Sequence, residues 1–273
     1  MSFIIKTPFI MKTYPLFLLL ALILLGCGPA NNAGEQEVEA EAVDEKESAM
    51  RYTLTPFTES QSYPEAKMTG MTFKDGVFDF EFENYELKIQ TPDADAKMCA
   101  NSGKGQHIHL IVDDQPYAAK YEPSFDYEIE EGEHHILAFL SRSYHESIKN
   151  GQAYLAQKTT VKSNTIVEAE DIAGPMLFYS RPKGTYVGEK DTRKVMLDYF
   201  LVNITPEMGY KVKADINGEE HLLDTWQPYY IEGLPMGENT ITLTLLDADG
   251  QPADVPLNPV SRTFTLKADP IEQ

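Results

Sequence analysis

Two histidines flank one isoleucine in "QHIHLIVDD", residues 106–114. In an extended chain His107 and His109 point the same way, with side chains on one face about 6.6 Å apart. A third histidine, His135, follows in "EGEHHILAFL" (131–140). If the two segments are paired strands, cross-strand neighbours stand about 5 Å apart. Three imidazoles at such spacings can converge on Zn²⁺ or Cu²⁺, whose bonds to nitrogen are about 2 Å long. The plainer alternative is a solvated strand rich in polar residues. Met98 and Cys99 stand in a neighbouring loop that can lend soft ligands, and His145 is a further possible ligand.

A second group suits anion recognition. "AFLSRSYHESIKN" (138–150) places Arg142, Tyr144 and His145 directly after an apolar strand, and "FYSRPKGTY" (178–186) adds Arg181 and Lys183. Guanidinium groups bind carboxylate or phosphate bidentately, and hydroxyls add hydrogen bonds. The bland alternative pairs both arginines with acids such as Glu146 or Glu189. A Ser-His-acid hydrolase built from Ser141 or Ser143, His145 and Glu146 is disfavoured, because no nucleophile-elbow pattern accompanies them. A copper/zinc superoxide dismutase is excluded too, since no histidine and aspartate set completes a two-metal bridge. The expectation is therefore no obligatory cofactor, with zinc or copper at the histidines as the alternative.

The elements that must position these groups read as strands. "VFDFEFE" alternates Phe78, Phe80 and Phe82 with acids, the period of a half-buried strand. Further strands are expected at 106–113, 134–141, 195–204, 209–217, 239–247 and 261–267, separated by turn pairs such as Asn217-Gly218 and Asp249-Gly250. The stretches 164–174 and 146–156 are the only weak helix candidates. Residues 106–117 align with 210–221 at an offset of 104, and 131–140 with 236–245 at 105. The repeat implies an all-β fold of two tandem immunoglobulin-like β-sandwich domains, at 51–163 and 175–273, joined by a linker at 164–174. A single continuous double sheet is the alternative.

Faces follow from the second copy, where Val212, Ala214, Ile216, Ile241, Leu243 and Leu245 alternate with polar residues. Transferred to the first copy, this makes Ile108, Leu110, Val112, Ile136, Ala138 and Leu140 core. It turns His107, His109, His135, Leu137 and Phe139 outward, where the second copy has Lys211, Lys213 and Thr240.

The N-terminus speaks of address. "MKTYPLFLLLALILLGC" combines a lysine, an apolar run and a small residue before Cys27, as a secretory signal does. Its end resembles a bacterial lipobox, which implies cleavage after residue 26 and a lipid on Cys27. Residues 28–50 carry seven acids, one lysine and no aromatic residue, the composition of a disordered acidic tether. With Cys27 acylated, Cys99 has no intramolecular disulfide partner. Roughly 250 remaining residues can form one large or two ordinary domains. The net charge of −20 excludes nucleic acid as a natural partner. Membrane contact should come from lipid, which places the protein in the bacterial envelope, at the outer membrane.

The stretches "GQHIHLIVDDQPY", "AFLSRSYHES", "YSRPKGTY" and "WQPYYIEGLPMGENTI" resemble a family of bacterial lipoproteins, some of whose members are labelled phosphopeptide-binding protein. The resemblance covers most of the chain after the tether and implies a lipid-anchored non-enzyme. Nothing in the residues suggests a forkhead-associated domain. The expected function is a non-enzymatic binding or scaffolding protein with a protein or envelope polymer as partner. A metal-binding protein and a glycan-acting enzyme are the alternatives.

Overall fold

The computed structural model describes residues 52–270. The signal segment, Cys27 and the acidic tether lie outside these residues. The described strands are β1 Thr53–Pro56, β2 Lys67–Lys74, β3 Val77–Glu83, β4 His107–Val112, β5 Ala118–Lys120, β6 Ser124–Asp126, β7 Gly132–Ser141, β8 Tyr154–Lys162 and β9 Thr165–Asp171. Then come β10 Met176–Arg181, β11 Gly184–Val187, β12 Lys194–Val202, β13 Lys211–Ile216, β14 Glu219–Leu223, β15 Tyr229–Glu232, β16 Gly237–Leu246 and β17 Val260–Lys267. They form four sheets, ordered β2-β3-β6, β5-β4-β7-β8-β9, β1-β15-β12-β10 and β11-β17-β16-β13-β14.

The repeat predicted from spacing is present down to the register. Ile108 stands opposite Leu140, and Val212, 104 residues later, stands opposite Leu245. The first sandwich closes the sheets containing β3 and β4 over a core of Phe78, Phe80, Ile108, Leu110, Ile136 and Leu140. The second closes those containing β12 and β13 over Val195, Leu197, Val212, Ala214, Ile241 and Leu243. Both are immunoglobulin-like, and each inward set is the one the alternation of the second copy specifies.

Several expectations are corrected. The stretch 164–174, expected as linker or helix, holds β9, which pairs antiparallel with β8 at the edge of the first sandwich. Thr165, Ile166 and Val167 are β-branched, so an extended chain suits them better than a helix. Residues 53–56, expected in the first sandwich, form β1 and add to β15 of the second. Residues 146–153 carry no helix.

The largest correction concerns the outward face of the first copy. It is not solvated. Ile111, Leu137, Phe139 and Ala156 pack there against Met176, Phe178, Phe200 and Val202 of the second sandwich. The Phe139 and Phe200 rings stack with centroids 5.3 Å apart. The two sandwiches thus meet sheet on sheet, and the four sheets form successive layers. The runs "ILAFL", "MLFYS" and, apart from Asp198, "VMLDYFLV" are largely apolar on both faces because both faces are covered.

Candidate metal centre

His107 and His109 lie at the edge of this interface, on the β4 face that meets the second sandwich, and both are 0% exposed. The third imidazole there is His145, not His135. In the β4–β7 ladder His107 faces Ser141 and Val112 faces Ile136. His135 therefore shares their face but sits six residues from Ser141 along β7, about 20 Å away at the usual strand rise. Its amide donates to Asp113 Oδ1 at 2.8 Å, and its side chain lines a groove with Lys158, Asp171 and Met176. Burial lowers its pKa, but it joins no cluster.

His145 reaches the other two because the chain doubles back after β7. Ser141 and Ser147 bridge, and the Arg142 amide donates to Glu146 O, closing a tight loop. Within it His145 has φ +70°, the left-handed region that few side chains adopt without support from their surroundings. The support is dense. Ser143 and Thr91 exchange two hydrogen bonds, each backbone amide donating to the other's hydroxyl. Ser102 N–H donates to Ser143 O, and Asp198 of β12 accepts from Ser147 N–H.

Three ring nitrogens converge: His107 Nε2 is 2.9 Å from His109 Nε2 and 3.0 Å from His145 Nδ1, and the last two are 3.4 Å apart. The circle through them has a radius of about 1.8 Å, so a point about 1 Å off their plane is 2.0–2.1 Å from each, the bond length of zinc to imidazole. The tautomer of His107 is fixed from behind. Its Nδ1–H donates to Gly105 O at 2.8 Å, which leaves Nε2 with a lone pair facing the other two rings. Gly105 can supply that carbonyl because it is glycine: φ is +85°, and a Cβ there would stand 2.4 Å from Ile89 O.

The cluster is held neutral. Burial pushes His107 down to about 4. Burial first, and then the charges of the neighbouring imidazoles and of Arg181 and Lys183, push His109 well below the usual value; for His145, Arg181 follows burial. Neutral imidazoles are the form that binds metal. With His107 Nε2 an acceptor, protons on His109 Nε2 and His145 Nδ1 would both point at it and would set two N–H groups against each other 3.4 Å apart. A divalent transition ion satisfies all three nitrogens. The donor set suits zinc or copper and leaves at least one coordination position open.

Aromatic groups wall the centre. Tyr117 stacks on His109 with centroids 3.7 Å apart at 9°, and its hydroxyl is 3.3 Å from His145 Nδ1. Tyr121 packs beside His107 at 5.0 Å. Neither is marked by any sequence pattern.

The residues expected to recognise an anion separate into two kinds. Arg142 is spoken for: it donates to Gln61 O and Ser147 O and lies 3.5 Å from Glu146. Tyr144 is fully buried among Phe57, Cys99, Met196 and Tyr230, so it packs and contacts no ligand. Cys99 lies in that same cluster, its thiol pushed up to about 11 by burial, away from the three nitrogens. Arg181 and Lys183, by contrast, are beside the histidines. The Arg181 guanidinium donates to Tyr144 O, the carbonyl preceding His145, and to the Tyr186 hydroxyl. Lys183 Nζ lies 4.2 Å from the centroid of the Tyr117 ring. Trp226 is a plug, edge-on to Phe200 and donating to Tyr199 O.

No protein-family model matches the chain, and no curated protein matches it. Among solved structures it is similar to the fibronectin(III)-like modules of Clostridium thermocellum CbhA, at 15% identity and a TM-score of 0.27, over 35% of this chain and 100% of that one. It is also similar to SGBP-B of a Bacteroides ovatus mixed-linkage glucan utilization locus, solved with a mixed-linkage heptasaccharide. That match has 7% identity and a TM-score of 0.21, over 70% of this chain and 63% of that one. The fold assignment rests on the sheets and their register, and the site on its own geometry.

Proposed function

We propose that this is a lipid-anchored envelope protein that binds a divalent transition metal, zinc or copper, at His107, His109 and His145. One observation carries the reading: three imidazoles, two fully buried and one partly exposed, with ring nitrogens 2.9, 3.0 and 3.4 Å apart. The role is binding rather than catalysis, and an envelope polymer or protein is the wider partner of the two sandwiches. The signal-like start and Cys27 support the address.

Calorimetry of purified protein with Zn²⁺ and with Cu²⁺ tests the metal. A single site per chain is expected, abolished in His107→Ala/His109→Ala, weakened in His145→Ala and retained in His135→Ala. Equal heats from the double variant and the parent would refute the reading. So would a strict requirement for His135. Lipidation is read separately: globomycin-sensitive processing and palmitate labelling should both disappear in Cys27→Ser.

A further inference from the structure

Arg181 is the most deeply buried cation near the centre and its charge is unanswered. It is 3% exposed, and its partners are a carbonyl and a phenol. Among the described residues its Nε has no hydrogen-bond partner. Among the described residues no carboxylate oxygen lies within 4.0 Å of Arg181 or of Lys183, although both other cations near this loop, Arg142 and Lys149, have acidic partners. Burying a guanidinium with an orphaned donor is costly unless something anionic completes it. The same two cations stand beside the imidazoles: Arg181 donates to the carbonyl that precedes His145, and Lys183 lies over the Tyr117 ring that stacks on His109. Placing a divalent cation beside them adds more repulsion still. A ligand that answers both charges must be an anion.

We propose that the centre takes a small oxyanion, a carboxylate or phosphate oxygen, which occupies the metal's open position and is held by Arg181 and Lys183. This rests on the metal reading above and adds its co-ligand. The histidines come from the first sandwich and the two cations from the second, so the complete site exists only where the sandwiches meet. A guanidinium fork and an ammonium suit one oxygen on the metal and another on the protein. Lys183 and His145 are both partly exposed, which opens the site to solvent at this edge, while Tyr117 and Tyr121 close the apolar side. A neutral hydroxyl or water at the fourth position would leave the charges of Arg181 and Lys183 uncompensated; an oxyanion does not.

The test uses the whole mature protein, first metal-free and then loaded with Co²⁺ as a spectroscopic stand-in. Failure of Co²⁺, Zn²⁺ and Cu²⁺ to bind would defeat the underlying metal reading and is recorded before any anion is added. With metal bound, inorganic phosphate and acetate are titrated in separate arms and followed by the visible Co²⁺ bands and by calorimetry. At least one should shift the bands, and the arm with the tighter response identifies phosphate or carboxylate as the source. By linkage, saturating anion should raise metal affinity by the factor by which metal raises anion affinity.

Lys183→Met, at a partly exposed position, should weaken anion binding at least tenfold while metal binding without anion stays the same or tightens. Arg181→Lys should weaken it further, and Arg181→Met serves if circular dichroism shows it folded. Unchanged bands in both anion arms would overturn the proposal, as would anion binding of equal strength without metal. Anion affinity equal to the parent's in Lys183→Met and in a folded Arg181 variant would overturn it too.

Discussion

Asp198 ties the second sandwich to the loop that carries His145, and its removal should be felt in both stability and metal binding. It is 0% exposed on β12. One oxygen accepts from Ser147 N–H at 3.0 Å, and the other pairs with Lys149 Nζ at 2.5 Å. Asp198→Ala leaves an ammonium whose side chain is only 14% exposed without its partner, and a buried amide without an acceptor. Breaking a buried pair from one side costs about 3–5 kcal/mol, and an orphaned amide about 1–3 kcal/mol. The two losses share one side chain and do not add, and Lys149 keeps some access to water, so roughly 3–4 kcal/mol is expected. Urea denaturation of the metal-free protein reads this as a lower midpoint at unchanged slope. Asp198→Asn separates the roles: its amide oxygen can still accept from Ser147, so it should lose stability yet keep most of the metal affinity. Asp198→Ala should lose both, since His145 stands two residues before the freed amide. A cost below about 1 kcal/mol for Asp198→Ala would refute the argument, as would metal affinity equal to the parent's.

Other consequences are more local. Gly105→Ala should weaken metal binding about 10–100-fold, because a Cβ 2.4 Å from Ile89 O displaces the carbonyl that orients His107; calorimetry with Zn²⁺ measures it. Phe200→Ala removes the ring that stacks on Phe139 and meets Trp226 edge-on and should cost about 3–5 kcal/mol in a urea melt. The metal-free protein should lose stability in acid. His107 titrates at about 4 folded against about 6.5 unfolded, so the unfolded chain binds the extra proton between those values. Stability therefore falls as pH drops through that window and levels off below it, by roughly 3 kcal/mol from His107 alone. The slope between pH 6.5 and 4.5 should flatten in His107→Gln/His109→Gln, and an unchanged slope would count against neutral buried imidazoles.

What could be read in advance depended on periodicity. The alternation of 211–216 and 240–245 exists because one face of that sheet is wet, and it specified the inward set of both copies correctly. The same transfer misled at His107 and His109, because a repeat conveys which face is outward but not whether anything covers it. The covering was encoded elsewhere, in runs such as Leu137 to Leu140 and Val195 to Leu197 that are apolar at consecutive positions. His135 failed for a different reason: shared face was right, but antiparallel register puts it at the far end of the ladder. His145 belongs to a loop whose left-handed residue is imposed by Thr91, Ser102 and Asp198, three distant parts of the chain. No local spacing announces such a placement.

Covering, then, decides what one sheet position can do. Positions 107 and 109 correspond to Lys211 and Lys213, which keep contact with water; Lys213 also pairs with Glu220. The second sandwich lays its four-stranded sheet over the first copy's face and leaves its own five-stranded face bare. An exchange of residues between copies tests this directly. His109→Lys would place an ammonium in a fully buried site already beside Arg181 and Lys183, with no acid to pair it. Such a charge costs at least several kcal/mol, enough to unfold the first sandwich or part the two, visible as a sharply lowered urea midpoint and exposed aromatic fluorescence. Lys213→His exchanges one solvated side chain for another and should shift stability by about 0.5 kcal/mol or less, with no metal bound at the second copy. Equal tolerance of the two substitutions would mean that the interface is not dry, and the neutral histidines would lose their physical basis.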